Sequence, residues 1–260
     1  MEMIRTFDTH AHLDHIEGVD EALKQAHEAG IEGVVAVGVD LTANRKNLEI
    51  KRRTMAPKIF VALGIHPGNI KAEEFEATIQ FIRENIHEAV AVGEIGLDFW
   101  YKDVRKNEER KEEQRNIFQR QLALAVEFNL PVIVHSRGAW KDCLKMLREA
   151  GIKKANFHWY SGPLDILDEI LACGYFVSAT PALRYSTQHQ DAIKHAPITQ
   201  TLIETDSPVY FQDSDDPKGG FTAGPKDVLK TLKLYADLQN LRPEQAVQTL
   251  NRNAMSFLGI

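Results

Sequence analysis

The chain has 260 residues, 43% of them hydrophobic and 26% charged, which suits one globular domain over residues 1–260 and includes no apolar run long enough to cross a bilayer. Its formal net charge of −6 disfavours a broad basic face for duplex nucleic acid, yet allows an enzyme that grips a strand end locally through a bound metal's own charge. An acidic Glu2 stands where a signal peptide needs apolar residues, so a cytoplasmic location is expected.

Short β-branched or apolar runs recur along the chain, each followed by a longer amphipathic segment. The first predicted strand covers residues 4–9 and leads into His10-Ala11-His12; a helix carrying Ala22, Leu23 and Ala26 then stops at Ala29-Gly30. Strands follow at 33–39, 59–64 and 89–93, the last meeting Glu94. An apolar stripe of Ile117, Leu122, Ala125, Val126 and Phe128 predicts a helix before the fifth strand, 131–135, and the remaining strands fall at 154–158, 175–179 and 201–205. Cys143 and Cys173 sit in helical segments with no partner at metal-ligand spacing, and both are read as buried small hydrophobes. Residues 212–220, with Asp213, Asp215 and Asp216 before Gly219-Gly220, predict a long exposed loop.

Eight strands alternating with helices over about 250 residues predict a (β/α)8 TIM barrel with right-handed crossovers. The alternative, an open doubly wound sheet, calls for a glycine-rich phosphate turn after the first strand, and none is present.

Five of the ten histidines, His10, His12, His66, His135 and His158, fall at the C-terminal ends of predicted strands, where a barrel gathers its active-site groups. Side chains two apart on a strand share a face, so His10 and His12 both aim into the barrel mouth, although such a pair is equally compatible with satisfied core residues. The same alternation sets Asp8 one layer deeper, placed to orient an imidazole. Glu94 follows a continuous apolar run, and a buried carboxylate needs either a basic partner or cations; a bidentate one can bridge two metals. His135 and His158 end successive strands at one level. Asp206 ends the eighth strand, beside the first when the barrel closes, and can take a proton from an attacking water; an N-cap role before Ser207-Pro208 is the alternative. Four histidines favour a borderline metal such as zinc, while the carboxylates keep manganese and magnesium open.

Phe7-Asp8-Thr9-His10-Ala11-His12-Leu13-Asp14 resembles the opening motif of the TatD family of metal-dependent deoxyribonucleases. Gly64-Ile65-His66-Pro67, Gly93-Glu94-Ile95-Gly96-Leu97-Asp98, Pro131 to Arg137, His158-Trp159-Tyr160-Ser161-Gly162 and Glu204-Thr205-Asp206-Ser207-Pro208 resemble its later signatures, in order along nearly the whole chain. The resemblance implies a barrel with two divalent metals that hydrolyses phosphodiesters, often from a 3′ end, with single-stranded DNA as partner. It implies His10, His12, Glu94 and Asp206 around one metal and Glu94, His135 and His158 around the other. His66 would then contact the substrate phosphate, and Arg137 could pair with a nonbridging oxygen. A turn at His66-Pro67 and a cap or ion pair at Arg137 are the plainer alternatives.

One departure bears on substrate. The family commonly carries an Arg-Asn-Glu-Pro type motif after the eighth strand, whereas this chain has Phe221-Thr222-Ala223-Gly224-Pro225-Lys226, preceded by three aspartates that disfavour a phosphate backbone. Trp159 and Tyr160 could stack on a base or simply pack. An amidohydrolase-type lactonase or amidase is the competing enzyme, but many such barrels use a carboxylated lysine where Glu94 stands. A noncatalytic metal-stabilised scaffold ranks third, since no expected ligand is missing.

Overall fold

The computed structural model describes residues 3–212 and 219–260. Eight parallel strands lie in sequential order: β1 (Thr6–Ala11), β2 (Ile31–Val37), β3 (Lys58–Leu63), β4 (Ala91–Gly96), β5 (Val132–His135), β6 (Ala155–Phe157), β7 (Phe176–Ala179) and β8 (Thr201–Ile203). Between and after them run the helices α1 (Val19–Glu28), α2 (Leu41–Arg53), α3 (Ala72–Asn85), α4 (Glu108–Glu127), α5 (Trp140–Ala150), α6 (Leu164–Ala172), α7 (Thr187–His195), α8 (Val228–Leu238) and α9 (Pro243–Leu258). This is the predicted (β/α)8 barrel. Among the described residues no helix is long and apolar enough to cross a membrane.

Period-two alternation sorts the strand residues into two cores. Val35, Phe60, Ala91, Ile133 and Leu202, from five different strands, cluster with Phe257 of α9, and side chains from around a sheet meet in this way only inside a barrel. Their neighbours on the other face, such as Val34, Val61, Val92 and Val134, pack under helix residues including Leu23, Leu48, Phe118 and Leu147.

The seam between β1 and β8 closes at the end that carries the site. The Asp206 amide donates to the His10 carbonyl at 3.0 Å and the His12 amide to the Ser207 carbonyl at 2.8 Å. Asp8 plugs the same seam, its carboxylate accepting from the Thr205 amide at 2.9 Å and the Thr205 hydroxyl at 2.6 Å. The expectation that Asp8 orients an imidazole is therefore corrected: the amide and hydroxyl of Thr205, two residues past β8, claim its carboxylate.

Several boundaries also differ from expectation. β1 starts two residues later than predicted, because the ladder begins where the Thr6 amide donates to the Gly30 carbonyl. β4 runs through Glu94 to Gly96 instead of stopping at residue 93. Gly96 makes that extension possible: its φ is +141°, and a Cβ there would stand 1.9 Å from the His135 carbonyl oxygen. No helix starts after Asp206, so the capping alternative falls; instead a short hairpin follows, β9 (Tyr210–Gln212) against β10 (Gly220–Thr222). The aspartates at 213, 215 and 216 lie outside the described residues. Cys143 is buried in α5 as expected, whereas Cys173 is only half-buried at the C-terminal end of α6, where it accepts from the Arg148 guanidinium.

Candidate metal centre

Strands and the segments just past them bring His10, His12, Glu94, His135, His158 and Asp206 together at the C-terminal mouth of the barrel, where all but His10 line a cavity of about 520 Å³. Glu94, from the middle of the ring, is the hub. Its Oε2 stands 3.4 Å from His10 Nε2 and 3.6 Å from His12 Nε2. Both imidazole nitrogens also face Asp206 Oδ1, at 3.4 and 3.2 Å. Its Oε1 faces the other way, 2.9 Å from His135 Nδ1 and 2.8 Å from His158 Nε2, which are themselves 3.3 Å apart.

Two donor sets thus flank one carboxylate. The four separations in the first set match the edge of a tetrahedron, about 3.4 Å, around a cation bonded at about 2.1 Å. His10 Nε2 and Asp206 Oδ1 are buried with no hydrogen-bond partner among the described residues, and a bound cation would satisfy both. The donor set, imidazole and carboxylate with no thiolate, is one that zinc, manganese and magnesium all accept. The residues present fit a divalent cation on each side of Glu94.

Electrostatics point the same way. Burial opposes ionisation of Glu94, but His158, His66 and His10 outweigh it and hold the carboxyl well below its usual range. Asp206 is likewise held low against its burial, by His12 and His10. Burial also disfavours protonated His135 and His158, yet Asp98 and Glu94 raise the first, and Glu94 and Glu204 raise the second well above the ordinary imidazole value. An excess of buried negative charge draws cations, whether protons or metals.

The floor is held by groups that the sequence did not single out. Asp98 Oδ2 accepts from His135 Nε2 at 2.8 Å, which turns the lone pair of Nδ1 toward Glu94. Glu204 Oε1 stands 3.4 Å from His158 Nδ1 and accepts the Trp159 amide at 3.0 Å. Gln114 accepts the Asp98 amide at 2.9 Å and donates to the Pro67 carbonyl at 3.3 Å, while Gln121 clasps both the amide and the carbonyl of Ile65. The signal was there: Gln114 and Gln121 are seven apart, two buried amides on the inner face of α4 beside Phe118. Asp206 and Trp159, each just past a strand, adopt φ of +51° and +43°, a left-handed backbone costing roughly 1–2 kcal/mol that the closed ring has to sustain.

His66 lies on the same floor but offers something different. Its Nδ1 accepts the Gly68 amide at 3.0 Å, so in the neutral ring the proton sits on Nε2, 3.6 Å from Glu94 Oε1. Burial pushes its pKa down to about 3. His66 therefore presents an N–H donor. Arg137 is exposed on the wall and makes no ion pair among the described residues, while Trp140, Trp159 and Tyr185 supply the cavity's aromatic lining. Tyr160, offered as a base-stacking residue, is fully buried and spends its hydroxyl on the Pro163 carbonyl at 2.7 Å; it packs.

A (β/α)8 barrel with this histidine-carboxylate floor belongs to the metal-dependent hydrolases. The model of the TatD related DNase family matches residues 7–259. Human deoxyribonuclease TATDN3 is 28% identical over 262 residues, spanning 96% of this chain and 93% of its own. An uncharacterised metal-dependent hydrolase from Methanocaldococcus jannaschii is also 28% identical, over 99% of this chain and 98% of its own. The crystal structure of YJJV, a TatD homologue from Escherichia coli, superposes with a TM-score of 0.87 at 25% identity, covering all of both chains. The chain belongs to the TatD-related DNase family of metal-dependent hydrolases.

Proposed function

We propose that this hydrolase is a phosphodiesterase that trims single-stranded DNA from a 3′ end, using two divalent cations that share Glu94. One observation carries the reading: the two oxygens of a single buried carboxylate face two separate sets of donors, His10, His12 and Asp206 on one side and His135 and His158 on the other. When bound there, divalent cations supply Lewis acidity and a water acidic enough to attack at neutral pH. The protein's own groups do the rest. Asp206, ionised and aimed into the cavity, accepts the proton released as water attacks phosphorus. His66 donates a hydrogen bond from Nε2–H to a phosphoryl oxygen while staying neutral, and Arg137 pairs with a second oxygen from the wall.

The cavity supports action at an end. At about 520 Å³ it has the volume of a site for one small ligand, room for a terminal nucleotide but not for a continuous duplex.

The test is hydrolysis of 5′-labelled and 3′-labelled oligonucleotides by metal-stripped protein resupplied with magnesium, manganese or zinc. Stepwise shortening from the 3′ end that requires metal and disappears in Asp206→Asn is the expected result. Metal-dependent hydrolysis of small lactones or amides, with DNA untouched, would move the assignment to an amidohydrolase acting on a small molecule.

A further inference from the structure

The large aromatic side chains that remain exposed are concentrated on one rim. Trp100 (55% exposed), Tyr210 (54%) and Tyr185 (38%) all stand on segments that follow strands at the cavity end of the barrel, whereas Phe128, at the far end of α4, is covered by the Arg83 guanidinium. Trp100 is the most exposed of them, yet its backbone is fixed. Its amide donates to Asp98 Oδ1 at 2.8 Å, and the Tyr101 amide donates to the same oxygen at 3.2 Å. The other oxygen of Asp98 holds His135. On the next loop, the Phe99 amide donates to the Arg137 carbonyl at 3.1 Å, and Trp100 lies over Gly138, whose position would put a Cβ 3.6 Å from Trp100 Cε3. The backbone is thus anchored while more than half of the side chain faces water, beside the cavity wall that carries Arg137.

Beyond Trp100 the chain turns basic. Lys102, Arg105 and Lys106 are exposed and, like Arg137, form no ion pair among the described residues, with Asp103 the one acid between them. Their neighbours on α4 behave differently: Arg110, Lys111 and Arg115 are all paired with glutamates. In a chain of net charge −6, a run of uncompensated cations beside an exposed indole, next to the cavity wall, is a local anion-binding surface with a stacking platform.

We infer that a single strand leaving the cavity passes Arg137 and lies along the rim from Trp100 to Lys106, one base stacking on Trp100 and successive phosphates pairing with Lys102, Arg105 and Lys106. The inference rests on the phosphodiesterase reading and adds to it a second contact surface outside the cavity, one that needs several unpaired nucleotides, since a duplex offers no free base face to the indole. The platform acts on binding, and its energy grows with strand length until the rim is covered.

Binding and chemistry can be separated by measuring fluorescence anisotropy of 5′-fluorescein-labelled oligothymidylates of two and ten nucleotides in an Asp206→Asn background loaded with manganese, which keeps the strand whole. The decamer should bind more tightly than the dimer. Trp100→Ala should weaken the decamer about tenfold and leave the dimer unchanged, with Trp100→Phe retaining most of the affinity. Changing Lys102, Arg105 and Lys106 together to Gln should flatten the plot of log Kd against log salt by about 2, at roughly 0.7 per lost contact. A decamer that binds no better than the dimer, or that binds both variants like the parent, overturns the inference. Failure of the phosphodiesterase reading is seen elsewhere, as no hydrolysis of either oligonucleotide or of bis(4-nitrophenyl) phosphate by the unmodified, metal-loaded enzyme.

Discussion

His135 and His66 lie side by side, ring centroids 4.4 Å apart, and both aim a nitrogen at Glu94 Oε1, yet they are built for opposite purposes. Behind His135 stands a carboxylate, Asp98, which accepts a hydrogen bond from Nε2–H, raises the pKa and leaves a lone pair in front. Behind His66 stands a backbone amide, which takes the Nδ1 lone pair and leaves an N–H in front; burial lowers the pKa to about 3. What an imidazole offers to a site is thus decided by the group behind it. On this contrast, strand-end position alone does not separate a metal ligand from a substrate contact.

Removing the shared target gives the largest effect. Glu94→Gln should lower kcat/KM at least 10³-fold and abolish stoichiometric retention of both cations, measured by metal analysis after gel filtration. Retention of two equivalents would contradict the bridging role.

A third imidazole extends the comparison away from the metal centre. His189 is buried with both nitrogens on backbone groups: Nδ1–H donates to the Tyr160 carbonyl at 2.7 Å and Nε2 accepts the Thr180 amide at 3.1 Å, and burial lowers its pKa to about 4. Unfolded, it takes up a proton near pH 6.5, while the folded ring refuses one until about pH 4. Its stabilising contribution is therefore full above pH 6.5 and falls with pH through that window, by roughly 3 kcal/mol in all. Chemical denaturation at pH 7 and pH 4.5 should show the stability gap between the native chain and His189→Gln narrowing at the lower pH; a constant gap would show that the ring is protonated when folded.

Smaller effects test the backing groups singly. Asp98→Asn should weaken cation binding about 10- to 100-fold on the His135 side of Glu94 and leave the His10 side unchanged, resolved by calorimetric titration. His66→Ala should cost about tenfold in kcat/KM with cation stoichiometry intact, and His66→Gln, which keeps an N–H donor, should recover part of it. Loss of a cation in His66→Ala would make His66 a ligand and erase the contrast.

Much of this was legible in the sequence, because the signals are local. Alternation along short strands fixes which face His10 and His12 occupy, and the count of eight strands fixes the topology. What stayed hidden depends on neighbours distant in sequence. Alternation along its own strand says only which way Asp8 points, whereas Thr205, 197 positions away, determines its hydrogen bonds. The carboxylate of Glu94 interrupts an apolar run and so marks a strand end in a linear reading, whereas pairing with the fifth strand shifts register there and resumes at Ile95 and Gly96. Asp98 and Glu204 stand within recognised motifs, but nothing in a linear reading pairs them with His135 and His158. Tyr160 has an aromatic's stacking potential, and only packing reveals that it is fully enclosed.

The most direct measurement is anomalous diffraction from a crystal of the protein equilibrated with manganese. Two peaks are expected flanking the Glu94 carboxylate, one among His10, His12 and Asp206 and the other between His135 and His158. A single peak, or density only among His12, Asp14 and His15, which also lie close enough to hold an ion, would contradict a shared two-cation centre.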